Sequence, residues 1–187
     1  MIAAWGDESG SVHRIDPGTY ILGAALSFEE NVEAARQVME SIRLPSEKKV
    51  HWRSDTSKRH DQVVEAITSV PIEGFIVVRS RRLDNSEHSR RKCMEDMMPE
   101  LEALGCAHLT LESRGKADDR RDLDMLGHLR RRRLNGHSVK MDHTPGPKDP
   151  MLWIADALCG AVVEDRCGEP KYLDRLASRV TIRVIDS

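Results

Sequence analysis

The feature that most constrains the fold is the segment from Met151 to Val163 (MLWIADALCGAVV), in which Asp156 is the only charged residue. Apolar residues lie on every side of a helix built from this segment, so we expect that helix to be central in the protein. It is too short to cross a bilayer. Burying an ionised carboxylate is very costly unless it is paired, hydrogen-bonded or bound to a metal. Asp156 therefore either meets a backbone amide or an arginine, or it is a metal ligand.

Short apolar runs alternate with amphipathic segments along the rest of the chain. The apolar runs predict strands over residues 2–6, 20–26, 74–79, 107–112, 138–142 and 180–185. Helical spacing predicts helices over residues 30–43, around 63–67, over 93–104 and 118–133, and from Asp149 or Pro150 onwards. Pro99 is expected to kink or break the third of these helices. This order predicts a single three-layer α/β domain over residues 1–187, with a central mixed sheet flanked by helices.

Acidic residues follow two of the predicted strands. Asp7 and Glu8 come directly after the first strand, within the run Gly6-Asp7-Glu8-Ser9-Gly10, which is typical of a turn. Glu112 ends a later strand, and ligand sites in α/β sheets tend to lie at such ends. Each acid alone could be a turn residue or a solvated side chain. Together, Asp7, Glu112 and Asp156 are hard oxygen ligands of the kind that Mg²⁺ or Mn²⁺ prefers.

Two motifs resemble those of the domain-of-unknown-function family 3800 (DUF3800), which is regarded as ribonuclease-H-like in fold. One is Asp7-Glu8-Ser9-Gly10 after an N-terminal strand, and the other is the late run Leu152-Trp153-Ile154-Ala155-Asp156. Trp153 departs from the family's glutamine, and Glu112 stands where an aspartate is expected. The resemblance implies a ribonuclease-H-like fold and a metal site of Asp7, Glu112 and Asp156. It also implies that Glu8 is a fourth ligand or a group behind the ligands, and that His51 corresponds to a family histidine.

Several other polar residues are weaker candidates. Arg114 and Lys116 follow the predicted strand 107–112 directly and are predicted to contact a substrate phosphate. His51 could orient a phosphate or transfer a proton near neutral pH, or it could be an exposed loop histidine. Asp142 is a reserve metal ligand, whereas Asp149 is best explained as a helix N-cap.

Composition restricts the classes of function that remain. The net charge of −2 and isoelectric point near 6.5 leave only a local patch to hold nucleic acid. The run Arg130–Arg133 could be such a patch, or it could stabilise a helix end. Aromatic residues make up 4%, which argues against a base-stacking platform. No signal segment or transmembrane helix is expected, and four cysteines without a CxxC pair favour buried thiols in a reducing cytoplasm.

These observations predict a metal-dependent nuclease or phosphodiesterase that uses Mg²⁺ or Mn²⁺ to hydrolyse RNA or DNA. The alternative is a non-catalytic ribonuclease-H-like module that binds nucleic acid or protein. The sequence leaves open which nucleic acid is cut and how many copies of the chain assemble.

Overall fold

The computed structural model describes residues 1–12, 14–80, 85–131 and 138–185. Arg132 and Arg133, and with them the predicted end of the fourth helix, lie outside these residues. The strands are β1 (Ile2–Gly10), β2 (Thr19–Phe28), β3 (Glu73–Ser80), β4 (Cys106–Glu112), β5 (Lys140–Thr144) and β6 (Val180–Ile185). The helices are α1 (Glu29–Ile42), α2 (Ser57–Thr68), α3 (Ser86–Ala103), α4 (Lys116–Arg131), α5 (Pro150–Arg166) and α6 (Lys171–Leu176). Single turns of 3₁₀ helix occupy Trp52–Ser54 and Gly146–Lys148.

Within the described ranges, the strands form one six-stranded sheet in the order β5-β4-β1-β2-β3-β6. Strands β1, β2 and β3 form an antiparallel meander. Strand β4 is parallel to β1, β5 is parallel to β4, and β6 is parallel to β3. The predicted mixed sheet is therefore confirmed, and β1 lies near its centre, between β4 and β2.

Helices cover both faces of the sheet. On the α5-side face, helices α1, α2, α5 and α6 pack in one apolar core, which includes Trp5 and Ile21. On the α3-side face, helices α3 and α4 pack in a second core, which includes Ala4 and Leu22. Successive strand residues enter opposite cores because side chains alternate across a pleated sheet. This is the predicted three-layer α/β architecture.

Helix α5 is central, as its composition predicts. Every residue from Pro150 to Val162 is buried. Asp149 is the N-cap, and its side chain accepts a hydrogen bond from the Met151 amide at 3.1 Å. Its carboxylate also accepts from the Trp5 indole at 2.9 Å, which ties the start of α5 to β1.

Four details of the structure differ from the sequence prediction. Strand β1 does not turn at Gly6, because β2 pairs with it along its whole length as far as Gly10. Of the kink or break expected at Pro99, the break does not occur, since α3 continues through this residue and Met98 and Leu101 on either side are fully buried. Strand β5 begins later than predicted, at Lys140, and the short helix α6 was not predicted.

The cysteines and the helices also bear on the sequence predictions. All four cysteines are free, and Cys93, Cys106 and Cys159 are buried, as expected for thiols in a core. Among the helices that the structure describes, none combines the length and apolarity needed to cross a membrane.

Candidate functional site

Strand register brings Asp7 and Glu112 together. Gly6 of β1 pairs with Leu111 of β4, so Asp7 and Glu112 are the next residues of two adjacent parallel strands. Neighbouring strands are about 4.8 Å apart, and residues at the same register point to the same face. That face is the α5 side, because Trp5, two residues before Asp7, lies in the α5-side core. Two of the three predicted acids therefore lie side by side under α5.

Helix α5 is fixed against the first of these strands one turn after Asp156. The thiol of Cys159 donates to the main-chain carbonyl of Asp7 at 3.4 Å. Cys159 also packs on Gly23 of β2, where a Cβ would lie 2.6 Å from the sulfur. Residues three apart share a helix face. Asp156 therefore faces the sheet close to Asp7.

Helix α5 is fixed to the other strand one turn before Asp156. The Trp153 indole donates to the carbonyl of Gly146 at 2.7 Å. Gly146 lies directly against the side chain of Glu112, and a Cβ at this glycine would be 2.6 Å from Cδ of Glu112. Trp153 thus links α5 to Gly146, against which the side chain of Glu112 packs. We call Asp7, Glu112 and Asp156 the acidic cluster.

The segment between α1 and α2 contributes two basic side chains to the acidic cluster. Lys49 Nζ donates to both carboxylate oxygens of Glu112, at 2.6 and 2.8 Å. His51 Nδ1 shares a hydrogen bond with Asp156 Oδ2 at 2.9 Å. Val50, between them, is buried in the α5-side core. The segment therefore pairs one cationic or polar side chain with each of two acids.

Trp52 anchors this segment to α5. Its main-chain amide donates to Asp156 Oδ2 at 2.9 Å, which realises the backbone-amide partner expected for a buried aspartate. Its indole lies against Gly160, where a side chain would overlap the ring. The ring also stacks on His60, with centroids 3.9 Å apart, and meets Tyr172 edge-on. The position of His51 next to Asp156 is thus fixed by aromatic packing.

The electrostatics of the acidic cluster are uneven. Burial raises the pKa of Asp7 well above its usual range, and the charges of Asp156 and Glu112 raise it further. The Glu8 amide donates to Asp7 Oδ1 at 2.8 Å, but this bond does not offset the other effects. The hydrogen bond with Asp156 raises the pKa of His51. Negative charge is therefore least compensated at Asp7.

The structure places two predicted site residues on the α3 side of the sheet. The carboxylate of Glu8 accepts from the guanidinium of Arg90, which also binds Asp122 through two hydrogen bonds of 2.9 and 2.7 Å. Arg114 donates to Glu87 at 2.6 Å and to Asp122 at 3.3 Å. Because adjacent strand residues point to opposite faces, Glu8 cannot follow Asp7 under α5. The predictions that Glu8 is a ligand and Arg114 a phosphate contact find no support in these contacts.

The remaining predicted residues lie apart from the acidic cluster. Lys116 is exposed at the first residue of α4. Asp142 is exposed on β5, and its Oδ2 lies 3.3 Å from Nε2 of His108. The structure gives neither residue a contact with an acid of the cluster.

The acidic cluster fits a hard divalent cation in the type of its donors, which are three carboxylates on one face. In the arrangement described for residues 1–12, 14–80, 85–131 and 138–185, no three His, Cys, Asp or Glu side chains are placed to hold a metal ion together. Two of the three acids have other partners: Lys49 holds both oxygens of Glu112, while His51 and the Trp52 amide share one oxygen of Asp156. A cation would therefore have to displace Lys49.

Sequence reasoning missed Lys49, Trp52 and Gly146. Trp52 offered a signal, since a large aromatic residue in a polar segment indicates an anchor on the core. Lys49 and Gly146 offered none, because their contacts depend on how two distant loops approach Glu112.

The strand order and the two helical layers define a ribonuclease-H-like fold. The chain is similar to the structure of the PCNA–RNase HII complex from Archaeoglobus fulgidus, with a TM-score of 0.56 and 13% identity over 95% of this chain and 77% of that chain. It is also similar to ribonuclease H2 from Pyrococcus horikoshii OT3, with a TM-score of 0.50 and 15% identity over 96% and 77% of the two chains. The sequence matches no protein-family model and no curated protein, so the resemblance to DUF3800 stays a prediction.

Proposed function

We propose that this protein is a divalent-cation-dependent nuclease that hydrolyses phosphodiester bonds in RNA or DNA. One observation carries the proposal: Asp7 and Glu112 lie side by side on one face of a ribonuclease-H-like sheet, and Asp156 faces that side of the sheet from α5. Burial, and after it the charges of Asp156 and Glu112, raise the pKa of Asp7, and a bound divalent cation would offset both effects by favouring the ionised carboxylate.

The three carboxylates would hold Mg²⁺ or Mn²⁺. When bound, such ions activate water and stabilise charge on the leaving oxygen. Side chains of this protein would supply the remaining hydrogen bonds and proton transfers. His51 is half-exposed, and its bond to Asp156 favours the protonated ring. It can therefore donate a hydrogen bond to a substrate phosphate or a proton to a leaving oxygen.

Two exposed basic residues lie close in sequence to residues that contact the acidic cluster, and they would bind the substrate backbone. Arg53 follows His51 by two residues, and Lys148 follows Gly146 by two residues. Both are exposed, and phosphate contacts of this kind hold nucleic acid without reading its sequence. Lys116 remains a further proposed contact, whereas the guanidinium of Arg114 is engaged by carboxylates.

A second candidate function is a non-catalytic binding module with the same fold. The ion pair between Lys49 and Glu112 favours it, because this pair satisfies Glu112 without a metal. Melting with and without Mn²⁺ separates the two candidates. A cation that binds only the folded state adds about 2.7 kcal/mol of stability at a hundred times its dissociation constant. No rise in melting temperature at millimolar Mn²⁺ would favour the binding module.

The direct test compares wild type with Asp156→Asn on labelled single-stranded RNA, single-stranded DNA, duplex DNA and RNA–DNA hybrid, with Mn²⁺ and with chelator. Asp142→Asn is the matched control, because it removes an exposed acid outside the acidic cluster. We expect chelator-sensitive cutting of at least one substrate, at least about a hundredfold slower in Asp156→Asn and unchanged in the control. Equal cutting by wild type and Asp156→Asn would remove Asp156 from the mechanism.

A further inference from the structure

Lys49 occupies the position in which a cation would meet Glu112. Its ammonium group donates a hydrogen bond to each of the two carboxylate oxygens of Glu112. The side chains of the pair are 20% and 19% exposed, so solvent screens their attraction less than on an open surface. The ion pair is therefore part of the site and not a loose surface contact.

The main chain around Lys49 is fixed on its C-terminal side. Val50 is 1% exposed, and Trp52 is clamped between α5 and the ring of His60. His51, two residues after Lys49, is held by Asp156. The main chain at Lys49 is therefore anchored next to the acidic cluster, which keeps its side chain within reach of Glu112.

We propose, as an extension of the proposed function, that Lys49 is an internal counter-ion that competes with divalent cations for Glu112. Glu112 can bind a cation only after the ammonium group gives up its oxygens. The displaced ammonium then repels the bound cation from a few ångströms away. Lys49 thus lowers the cation affinity of the acidic cluster and keeps Glu112 neutralised when no divalent cation is bound.

The test measures Mn²⁺ binding by calorimetry, in the full chain, for Lys49→Met and Lys49→Arg. Lys48→Met is the matched control, because it removes the same charge from the exposed neighbouring residue. We expect Lys49→Met to lower the dissociation constant for Mn²⁺ about tenfold. Lys49→Arg keeps the charge and should bind Mn²⁺ within about twofold of wild type, as should Lys48→Met.

A double variant shows whether the effect acts through Glu112. In the Glu112→Gln background, Lys49→Met should tighten Mn²⁺ binding less than it does in wild type, because competition for the carboxylate is gone and only the repulsion between the ammonium and the cation remains. Circular dichroism checks that each variant is folded. If Lys49→Met does not fold, Lys49→Gln, which retains one hydrogen-bond donor towards Glu112 without the charge, takes its place with the same expected result.

Mn²⁺ binding by wild type separates a failure of the counter-ion role from a failure of the proposed nuclease function. If wild type binds Mn²⁺ and Lys49→Met binds it equally or more weakly, the counter-ion role is overturned and the nuclease proposal stands. If neither wild type nor Lys49→Met binds Mn²⁺ at millimolar concentration, both fall together.

Discussion

Replacement of Asp7 by Asn tests whether the negative charge of Asp7 lowers the stability of the folded protein. Asn has the same shape as Asp, and its side-chain oxygen can still accept the hydrogen bond from the Glu8 amide. The substitution removes only the negative charge that burial and the two neighbouring acids, Asp156 and Glu112, disfavour. Without metal, Asp7→Asn should therefore make the protein more stable, which is unusual for a change in a proposed active site.

The size and pH dependence of this gain follow from the raised pKa of Asp7. A raised folded-state pKa means that the folded protein holds the proton more tightly than the unfolded chain. The ionised form therefore costs stability, fully so above the raised pKa and not at all below the ordinary value of 3.8. An unsatisfied buried polar group costs about 1 to 3 kcal/mol and a charged group costs more, so we expect a gain of at least about 1 kcal/mol. In a chain of this length, that raises the melting temperature by about 2–4 °C for each kcal/mol.

Urea unfolding in the presence of chelator at pH 4, 6 and 8 measures the gain, with Asp142→Asn as a control outside the acidic cluster. The gain of Asp7→Asn should grow with pH, while the control should change stability by less than about 0.5 kcal/mol. Added Mn²⁺ should stabilise wild type but not Asp7→Asn, which lacks a proposed ligand. If Asp7→Asn were less stable than wild type in chelator at pH 8, the cost assigned to the buried negative charge of Asp7 would be refuted.

Two further predictions concern the neighbours of the acidic cluster. Gly146→Ala places a Cβ against the carboxylate of Glu112, so it should destabilise the protein by about 1 kcal/mol and weaken the Mn²⁺-dependent rise in melting temperature. Gly10→Ala is the control: a Cβ at Gly10 would meet open space, so this variant should not alter the rise. In Asp156→Asn, NMR titration should show the pKa of His51 falling towards about 6.5. In wild type, the stabilisation from His51 is fully present below about pH 6.5 and is lost as the pH rises through the raised pKa of His51. An unchanged pKa of His51 in Asp156→Asn would contradict Asp156 as its hydrogen-bond partner.

The fold could be predicted from the sequence because its main elements carry strong local signals. The apolar run around Asp156 predicts a central helix whatever its neighbours are, and α5 is buried from Pro150 to Val162. Alternation along residues 107–112 places Glu112 opposite Leu111, and the two do lie on opposite faces. Such patterns depend only on the period of a helix or strand, so they survive without knowledge of tertiary contacts.

The end of β1 could not be predicted, and one wrong boundary misplaced a site residue. Glycine, aspartate and serine at Gly6–Gly10 are typical of a turn, and two acids in a turn could both reach one ion. The ladder with β2 keeps these residues extended instead. Once the strand continues, alternation alone requires that Asp7 and Glu8 point to opposite faces.

The partners of the acids could not be predicted either, because they come from loops. Lys49 and His51 lie in a polar segment with no period, and their pairing with Glu112 and Asp156 spans 63 and 105 residues. The packing of Trp52 on α5 and the burial of Val50 in the core help to fix where that segment lies. Tertiary packing of this kind is invisible to patterns within a short window.

Strand β1 thus carries two adjacent acids with opposite electrostatic surroundings. Glu8 is neutralised by Arg90, which is 1% exposed and also bound to Asp122. Burial alone would raise the pKa of Asp122, but hydrogen bonds from His143 and Arg90 lower it below its usual range. This paired network holds β1 firmly from the α3 side. Because β1 is held there, Asp7 stays next to the negative charges of Asp156 and Glu112 on the α5 side. Negative charge is thereby concentrated where the proposed divalent cation would bind.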